Sequence, residues 1–230
     1  MITVACVFWG DKFSLDYVYN LKAMVKRNTT IEHKFVCFSD RQIPGIETLI
    51  LPKGMMGWWN KIYMFKKDNG LSDRVVYLDL DTVIVNNIDW LLEWNGDFMG
   101  IEDLGAINSH QSHLKNKLQS AILAFDYNKN HAIWDYYIKN KVTIEKKIRG
   151  DGEYLQAILP VDYRTLLQNI FPNKLASYKY HIYPNRPNKE MSIVCFHGRP
   201  SIIQSMTETV VTPMATYEPN DWVKEYWNND

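Results

Sequence analysis

The sequence lacks the features that would tie it to a membrane or to a disulfide framework. Its 230 residues include only three cysteines, Cys6, Cys37 and Cys195, each within an apolar, strand-like run. An odd number of scattered cysteines favours buried, reduced thiols. No apolar run approaches the roughly 20 residues of a membrane-spanning helix, and residues 1–7 contain no basic segment typical of a signal peptide. We therefore expect a cytoplasmic protein without a membrane span.

An excess of charge of one sign is also missing. The 26 Lys and Arg residues equal the 26 Asp and Glu residues, so no global field attracts nucleic acid or an anionic membrane. The sequence is instead rich in aromatic residues, with 8 Trp, 14 Tyr and 9 Phe. Core packing explains most aromatic side chains, but the excess also favours a carbohydrate site. The basic stretch 139–149 is more typical of a solvated helix face than of a polyanion site.

Short β-rich runs alternate with helical patterns along the chain. The predicted strands are residues 2–9, 34–39, 47–51, 75–78, 82–85, 97–102, 121–125 and 192–196. The predicted helices are one capped by Ser14 and those at 57–68, 131–141 and 152–159. This alternation predicts an α/β fold with a Rossmann-like, mainly parallel sheet flanked by helices. Without a repeat or a linker, residues 1–230 are expected to form one domain.

Two aspartates follow the apolar run 75–78. Asp79 and Asp81 are separated by one residue, so in extended geometry both side chains point to the same side. Like charges this close repel unless a cation lies between them, and carboxylates suit Mg²⁺ or Mn²⁺. A turn cap and a solvated carboxylate would be the structural alternative. The strand end favours a ligand site, because open α/β sheets bind ligands there.

Residues 75–89, VVYLDLDTVIVNNID, resemble the metal-binding segment of family 8 glycosyltransferases, the glycogenin and LgtC-like group. The resemblance implies a GT-A fold, a UDP-sugar donor, Mn²⁺ (or Mg²⁺) and retention at the anomeric carbon. It also implies a nucleotide-binding part at about residues 1–100, a part closing the metal and acceptor site at about 101–200, and a tail at 201–230.

The same resemblance implies residues that bind the donor. The nucleotide-sugar would be contacted by residues of the first two strand ends, the helix before the metal strand and the metal segment: Phe8, Trp9, Asp11, Asp40, Lys61 and Leu80. Gln119 stands where the family has the Asn of an Asn-Ser-Gly strand, and Asp151 matches the Asp of a Gly-Asp-Gln helix start. Both would position the donor sugar. Ordinary loop chemistry, or an N-terminal helix cap in the case of Asp151, is the alternative.

Residues 192–200 resemble the family's C-terminal segment, whose His is the third metal ligand. Alignment on Gly198 and Arg199, which would contact the diphosphate, puts Cys195 at the position of that His. His197 lies two residues later, on the same strand face. Because Cys is a soft ligand and a poor match for Mn²⁺, His197 is the predicted ligand. Ser201 replaces the family's Lys.

The predicted activity is therefore metal-dependent transfer of a hexose or pentose to an acceptor hydroxyl. The acceptor stays open between a glycan, a protein side chain, a small polyol and a modified DNA base. A nucleotidyltransferase is one alternative, but residues 8–12 are a poor version of its Gly-rich basic loop. A non-catalytic nucleotide-sugar-binding module is another, and the intact set of Asp79, Asp81 and His197 argues against it.

Overall fold

A computed structural model describes residues 1–106 and 115–228. The strands in the described part are β1 (Ile2–Phe8), β2 (His33–Ser39), β3 (Glu47–Ile50), β4 (Arg74–Leu78), β5 (Thr82–Ile84), β6 (Phe98–Glu102), β7 (Leu118–Asp126), β8 (Thr165–Leu166), β9 (Leu175–Ser177), β10 (Ile193–Cys195), β11 (Val210–Val211) and β12 (Thr216–Tyr217). The α-helices are α1 (Asp16–Arg27), α2 (Asp89–Leu92), α3 (His131–Lys147), α4 (Asp151–Ile158), α5 (Leu167–Ile170), α6 (Gln204–Thr207) and α7 (Trp222–Tyr226). Gly57–Phe65 and Tyr127–Lys129 are 3₁₀-helices, and Tyr178–Ile182 is a π-helical turn.

A seven-stranded mixed sheet in the order β3-β2-β1-β4-β7-β6-β8 forms the centre of the fold. Strands β3, β2, β1 and β4 run parallel, and β7 is antiparallel to both β4 and β6. The predicted α/β architecture is thus confirmed. The carboxyl ends of β1, β2, β4 and β6 lie at one edge of the sheet, together with the amino end of β7.

Apolar side chains of the central strands point alternately to the two faces of this sheet, so a core lies on each face. Val4 and Cys6 of β1 pack on one side, in the core cluster that includes the apolar face of α1. Ala5 packs on the other side with Tyr77 of β4 and the buried residues of α3 and α4. Because successive side chains of a strand point to opposite faces, these central strands are apolar on both sides. The face formed with α3 and α4 also packs against the 3₁₀-helix Gly57–Phe65.

The three cysteines are buried and free, as the sequence predicted. Cys6 and Cys37 lie opposite each other on β1 and β2, and Cys195 ends β10. Within the described residues, no helix has both the length and the apolar character needed to cross a membrane.

Two local predictions were wrong. Ser14 does not cap α1: its hydroxyl donates to the Asp16 carboxylate at 3.1 Å, and the N-cap position is Leu15. The helix predicted at 57–68 is a 3₁₀-helix that ends at Phe65. At its end the Asn69 side chain donates to the main-chain oxygens of residues 63 and 64 at 2.8 and 3.0 Å, which helps to satisfy the last carbonyls of the helix.

Candidate active site

A cleft of about 570 Å³ opens at the edge where the carboxyl ends of the strands meet. Asp79 follows β4, and its main-chain N–H donates to the Ala121 carbonyl of β7 at 2.8 Å. Antiparallel pairing of β4 with β7 therefore brings the start of β7 beside the aspartate pair. The predicted residues that line this cleft together are Asp79, Asp81, Gln119, Asp151 and His197.

Lys61 is the central cation beside this cleft. Its Nζ lies 2.8 Å from Asp79 Oδ1 and 3.4 Å from Asp151 Oδ2. Tyr77 donates a hydrogen bond to Asp79 Oδ1, and Ser120 donates one to Asp151 Oδ2, each at 2.5 Å. Burial would lower the pKa of Lys61, but the charges of Asp151 and Asp79 outweigh it and raise that pKa. Lys61 is thus a permanent positive charge that joins β4 to the start of α4.

Asp81 is an acid that ionises with difficulty. Burial and the neighbouring charge of Asp79 raise the pKa of Asp81 to about 7, against the opposing effect of Lys12 and Lys61. A cation placed between the two carboxylates would favour their charged forms. This donor set of carboxylate oxygens therefore fits a hard divalent cation such as Mn²⁺ or Mg²⁺.

His197 reaches the cleft from the loop after β10. The main-chain N–H of Phe196 donates to the Asp81 carbonyl at 2.8 Å, which ties this loop to the aspartate pair. His197 Nε2 forms a hydrogen bond of 2.7 Å with Ser177 Oγ. Burial and the positive charge of Lys179 lower the pKa of His197 to about 4. The imidazole is therefore neutral at pH 7, the state in which histidine binds metals.

Cys195, the alternative ligand, is only 3% exposed. Burial, with the charges of Asp81 and Asp79, raises its pKa well above the usual value for a thiol, so it stays protonated at neutral pH. Among residues 1–106 and 115–228, no three His, Cys, Asp or Glu side chains are grouped closely enough to hold a metal. The assignment of the third ligand to His197 accordingly stays a prediction.

The ends of β1 and β2 form the predicted nucleotide side of the site. Asp40 accepts a hydrogen bond from the Gly10 N–H at 3.2 Å. Arg41 donates to the Gly10 carbonyl at 2.6 Å and pairs with Asp11 at 3.3 Å. Its guanidinium also lies 4.9 Å from the centre of the Phe8 ring. Sequence reasoning missed Arg41, although its place directly after Asp40 at a strand end was a usable signal.

Four further predicted donor contacts differ in exposure. Trp9 is 38% exposed, whereas the Leu80 side chain is 3% exposed and lies in the core, which leaves its backbone for ligand contact. Gly198 lines a second cavity of about 390 Å³ that reaches Asp81 from the side of α1. Arg199 is exposed and lines neither this cavity nor the cleft.

Asp103 was also missed by the sequence analysis. It follows β6, and β6 runs parallel to β4 because both are antiparallel to β7. Asp103 therefore reaches the same edge of the sheet, where Gln119 donates to it at 2.7 Å. A polar residue directly after a predicted strand was the available signal. A larger cavity of about 770 Å³ lies between α3 and α4 and is lined mainly by apolar side chains.

The strand order and the cleft at the carboxyl edge define the class of fold: the chain has the GT-A-type α/β fold of glycosyltransferases, and the resemblance seen in the sequence is confirmed at that level. Among solved structures it is similar to the galactosyltransferase LgtC in complex with donor and acceptor sugar analogs, with 11% identity and a TM-score of 0.61 over 87% of this chain and 88% of that one.

Two other solved glycosyltransferases are similar in fold. GlyE of Streptococcus pneumoniae TIGR4 matches with 14% identity and a TM-score of 0.61, over 86% of this chain and 55% of that one. The bifunctional enzyme WbbM matches with 11% identity and a TM-score of 0.57, over 87% of this chain and 46% of that one. The chain thus spans about half of each. A scan of protein-family models and a search of curated proteins gave no match.

Proposed function

We propose that the protein is a metal-dependent glycosyltransferase that moves a hexose or pentose from a UDP-sugar to an acceptor hydroxyl. The observation that carries this proposal is the joining of Asp79 and Asp151 by the buried Lys61, at the edge of the sheet where the cleft opens. One acid adjoins the candidate metal position and the other the candidate sugar position. In a purely structural ion pair, the two carboxylates would not both need to line an open cleft.

In this proposal Asp79, Asp81 and His197 hold Mn²⁺ or Mg²⁺. When bound, the cation would neutralise charge on the diphosphate that leaves. Lys61 holds the Asp79 side chain in place, since its Nζ lies 2.8 Å from Oδ1 and 3.1 Å from Oδ2 of that carboxylate. Arg199 and the backbone of Gly198 would add contacts to the phosphates.

The donor sugar would lie between β7 and α4. Asp151 is fixed by Ser120 and Lys61, and Gln119 is fixed by Asp103. These side chains would accept and donate hydrogen bonds to sugar hydroxyls, and so hold the anomeric carbon toward the acceptor. We further propose retention of configuration, which follows from the resemblance, and we assign no nucleophile.

The base and ribose would lie along the ends of β1 and β2. Asp11 and Asp40 offer carboxylates to the ribose or base, Arg41 holds their loop in place, and Phe8, Trp9 and the backbone of Leu80 complete the wall. We also propose that residues 1–230 act as one glycosyltransferase domain. The three free, buried cysteines support a reducing, cytoplasmic compartment.

Release of UDP from a panel of UDP-hexoses and UDP-pentoses, with Mn²⁺ or with EDTA, tests the proposal directly. We expect turnover of at least one donor with Mn²⁺ and its loss with EDTA. UDP and Mn²⁺ together should also raise the melting temperature above either alone, because ligands that bind the native state stabilise it. Equal shifts with EDTA present, or the absence of turnover over the whole panel, would contradict metal-dependent sugar transfer.

A further inference from the structure

Two adjacent tryptophans of the 3₁₀-helix Gly57–Phe65 have opposite environments. Trp59 is 8% exposed and stacks on Tyr137 with ring centres 5.5 Å apart, so it belongs to the core. Trp58 is 54% exposed and lines the cleft that contains the aspartate pair. Packing accounts for Trp59 but leaves most of the Trp58 ring in contact with solvent. A large aromatic ring that stays exposed among charged groups indicates a binding role rather than core packing.

The position of Trp58 relative to Lys61 connects the ring to the candidate chemistry. A 3₁₀-helix has three residues per turn, so residues three apart lie above one another on the same face. Trp58 is three residues before Lys61, whose Nζ contacts Asp79 and Asp151. Trp58 also lines the same cleft as Asp79 and Asp151, so a molecule that stacks on its ring would lie in the cleft of these carboxylates.

Gly150 makes room for the indole. Its φ of −173° is open to any residue, so the glycine is not needed for backbone conformation. A Cβ at this position would lie 3.3 Å from Trp58 Nε1 and 3.5 Å from Cδ1. The missing side chain lets the edge of the indole rest on the chain just before Asp151. One edge of the ring is anchored while its face stays open to the cleft.

The charge of the cleft selects among acceptors. Its lining carries five carboxylates, Asp79, Asp81, Asp103, Asp151 and Glu153, and two basic side chains, Lys117 and Arg149. Lys61 pairs with Asp79 and Asp151 from beside the cleft, so carboxylates still outnumber basic groups. The proposed divalent cation would offset the charge of the donor diphosphate, which leaves the excess of carboxylates in place. A polyanion such as DNA would be repelled, whereas an uncharged sugar could place its C–H face on the indole and its hydroxyls against carboxylate and guanidinium groups.

We propose that Trp58, seated against Gly150, is the platform of an acceptor subsite for an uncharged carbohydrate. This inference rests on the proposed function, since it names the class of acceptor for that same cleft. Trp58 binds the acceptor ring through its face, and Arg149 and Glu153 at the start of α4 offer hydrogen bonds. Glu153 is already held there, because it accepts the Arg149 N–H at 2.9 Å.

Binding and transfer can be measured on the same variants. Methyl glycosides of glucose, galactose and N-acetylglucosamine serve as probes, with saturation-transfer NMR for binding and product formation from the active UDP-sugar for transfer. Trp58→Ala should weaken glycoside binding and lower acceptor kcat/KM about tenfold more than it lowers donor hydrolysis. Gly150→Ala, whose Cβ would press on the indole edge at 3.3 Å, should act in the same direction with a smaller effect. Tyr136→Ala, an exposed aromatic on α3, is the matched control and should bind like wild type.

Each outcome decides the inference. Glycoside binding that is lost in Trp58→Ala but kept in Tyr136→Ala supports it, even if no UDP-sugar is turned over and the proposed function fails. Equal glycoside binding by wild type and Trp58→Ala, or no glycoside binding by either, overturns it. Transfer to a hydroxymethylated oligonucleotide or to a serine peptide, with none to any glycoside, also overturns it while leaving sugar transfer itself intact.

Discussion

Replacing Asp81 with asparagine tests whether this residue is a metal ligand or a carboxylate that stabilises the fold. The substitution keeps the size of the side chain and removes the charge that faces Asp79. In the wild-type protein, burial and the charge of Asp79 raise the pKa of Asp81 from 3.8 to about 7. The folded state therefore binds this proton more tightly than the unfolded chain does. Without metal, the wild-type protein should lose stability as pH rises from about 4 to 7.

The size of the effect follows from the shift in pKa. At about 1.4 kcal/mol per unit, a rise from 3.8 to about 7 sets an upper limit of roughly 4 kcal/mol. Because the Asp81 side chain is partly exposed to the cleft, we expect about 2 kcal/mol. Asp81→Asn should thus match wild type near pH 4 and exceed it above pH 7, by roughly 4 to 8 °C in melting temperature. Sugar transfer should fall roughly 10³-fold or more, since a charged metal ligand is lost.

Melting curves in EDTA at pH 4 to 8, and UDP release with Mn²⁺ from the same preparation, measure both effects. Asp135→Asn, an exposed carboxylate on α3, is the control and should follow wild type in both assays. Turnover of Asp81→Asn within about tenfold of wild type would remove the pair from the metal site. A variant that melts earlier than wild type at pH 8 would show that the carboxylate stabilises the fold, and the reasoning from repulsion would be refuted.

Two further substitutions test the rest of the site. Lys61→Met leaves Asp79 and Asp151 without their buried cation, so the metal-free protein should lose about 3 kcal/mol or more at pH 7 and much less near pH 4, where carboxylates take up protons. Urea denaturation at the two pH values measures this, and an equal loss at both would contradict the ion-pair role. His197→Ala should raise the Mn²⁺ concentration for half-maximal turnover far more than Cys195→Ser does. The reverse order in a manganese titration would assign the third ligand to Cys195.

Local sequence patterns predicted six of the seven strands of the central sheet, β8 excepted, and the aspartate pair. The run 75–78 is apolar at every position, as a strand buried on both faces requires, and the structure places β4 there. Asp79 and Asp81 follow it directly, so their place at a strand end needed no knowledge of distant residues. The sequence pattern failed where a side chain made a hydrogen bond other than the predicted one. The Ser14 hydroxyl donates to the Asp16 carboxylate instead of capping α1. The helix that begins at Gly57 ends at Phe65, where the Asn69 side chain donates to its last carbonyls.

Tertiary structure alone decided which side chains meet. Lys61 and Asp79 are 18 residues apart, Lys61 and Ser120 are 59 apart, and Ser120 and Asp151 are 31 apart, yet the four form one network. Their meeting depends on the antiparallel register of β7 against β4. A shift of that register by one residue would turn Ser120 to the opposite face. The sequence identifies the groups that carry charge. Strand direction and register are fixed by pairing between distant segments, and direction and register set the distances on which the chemistry depends.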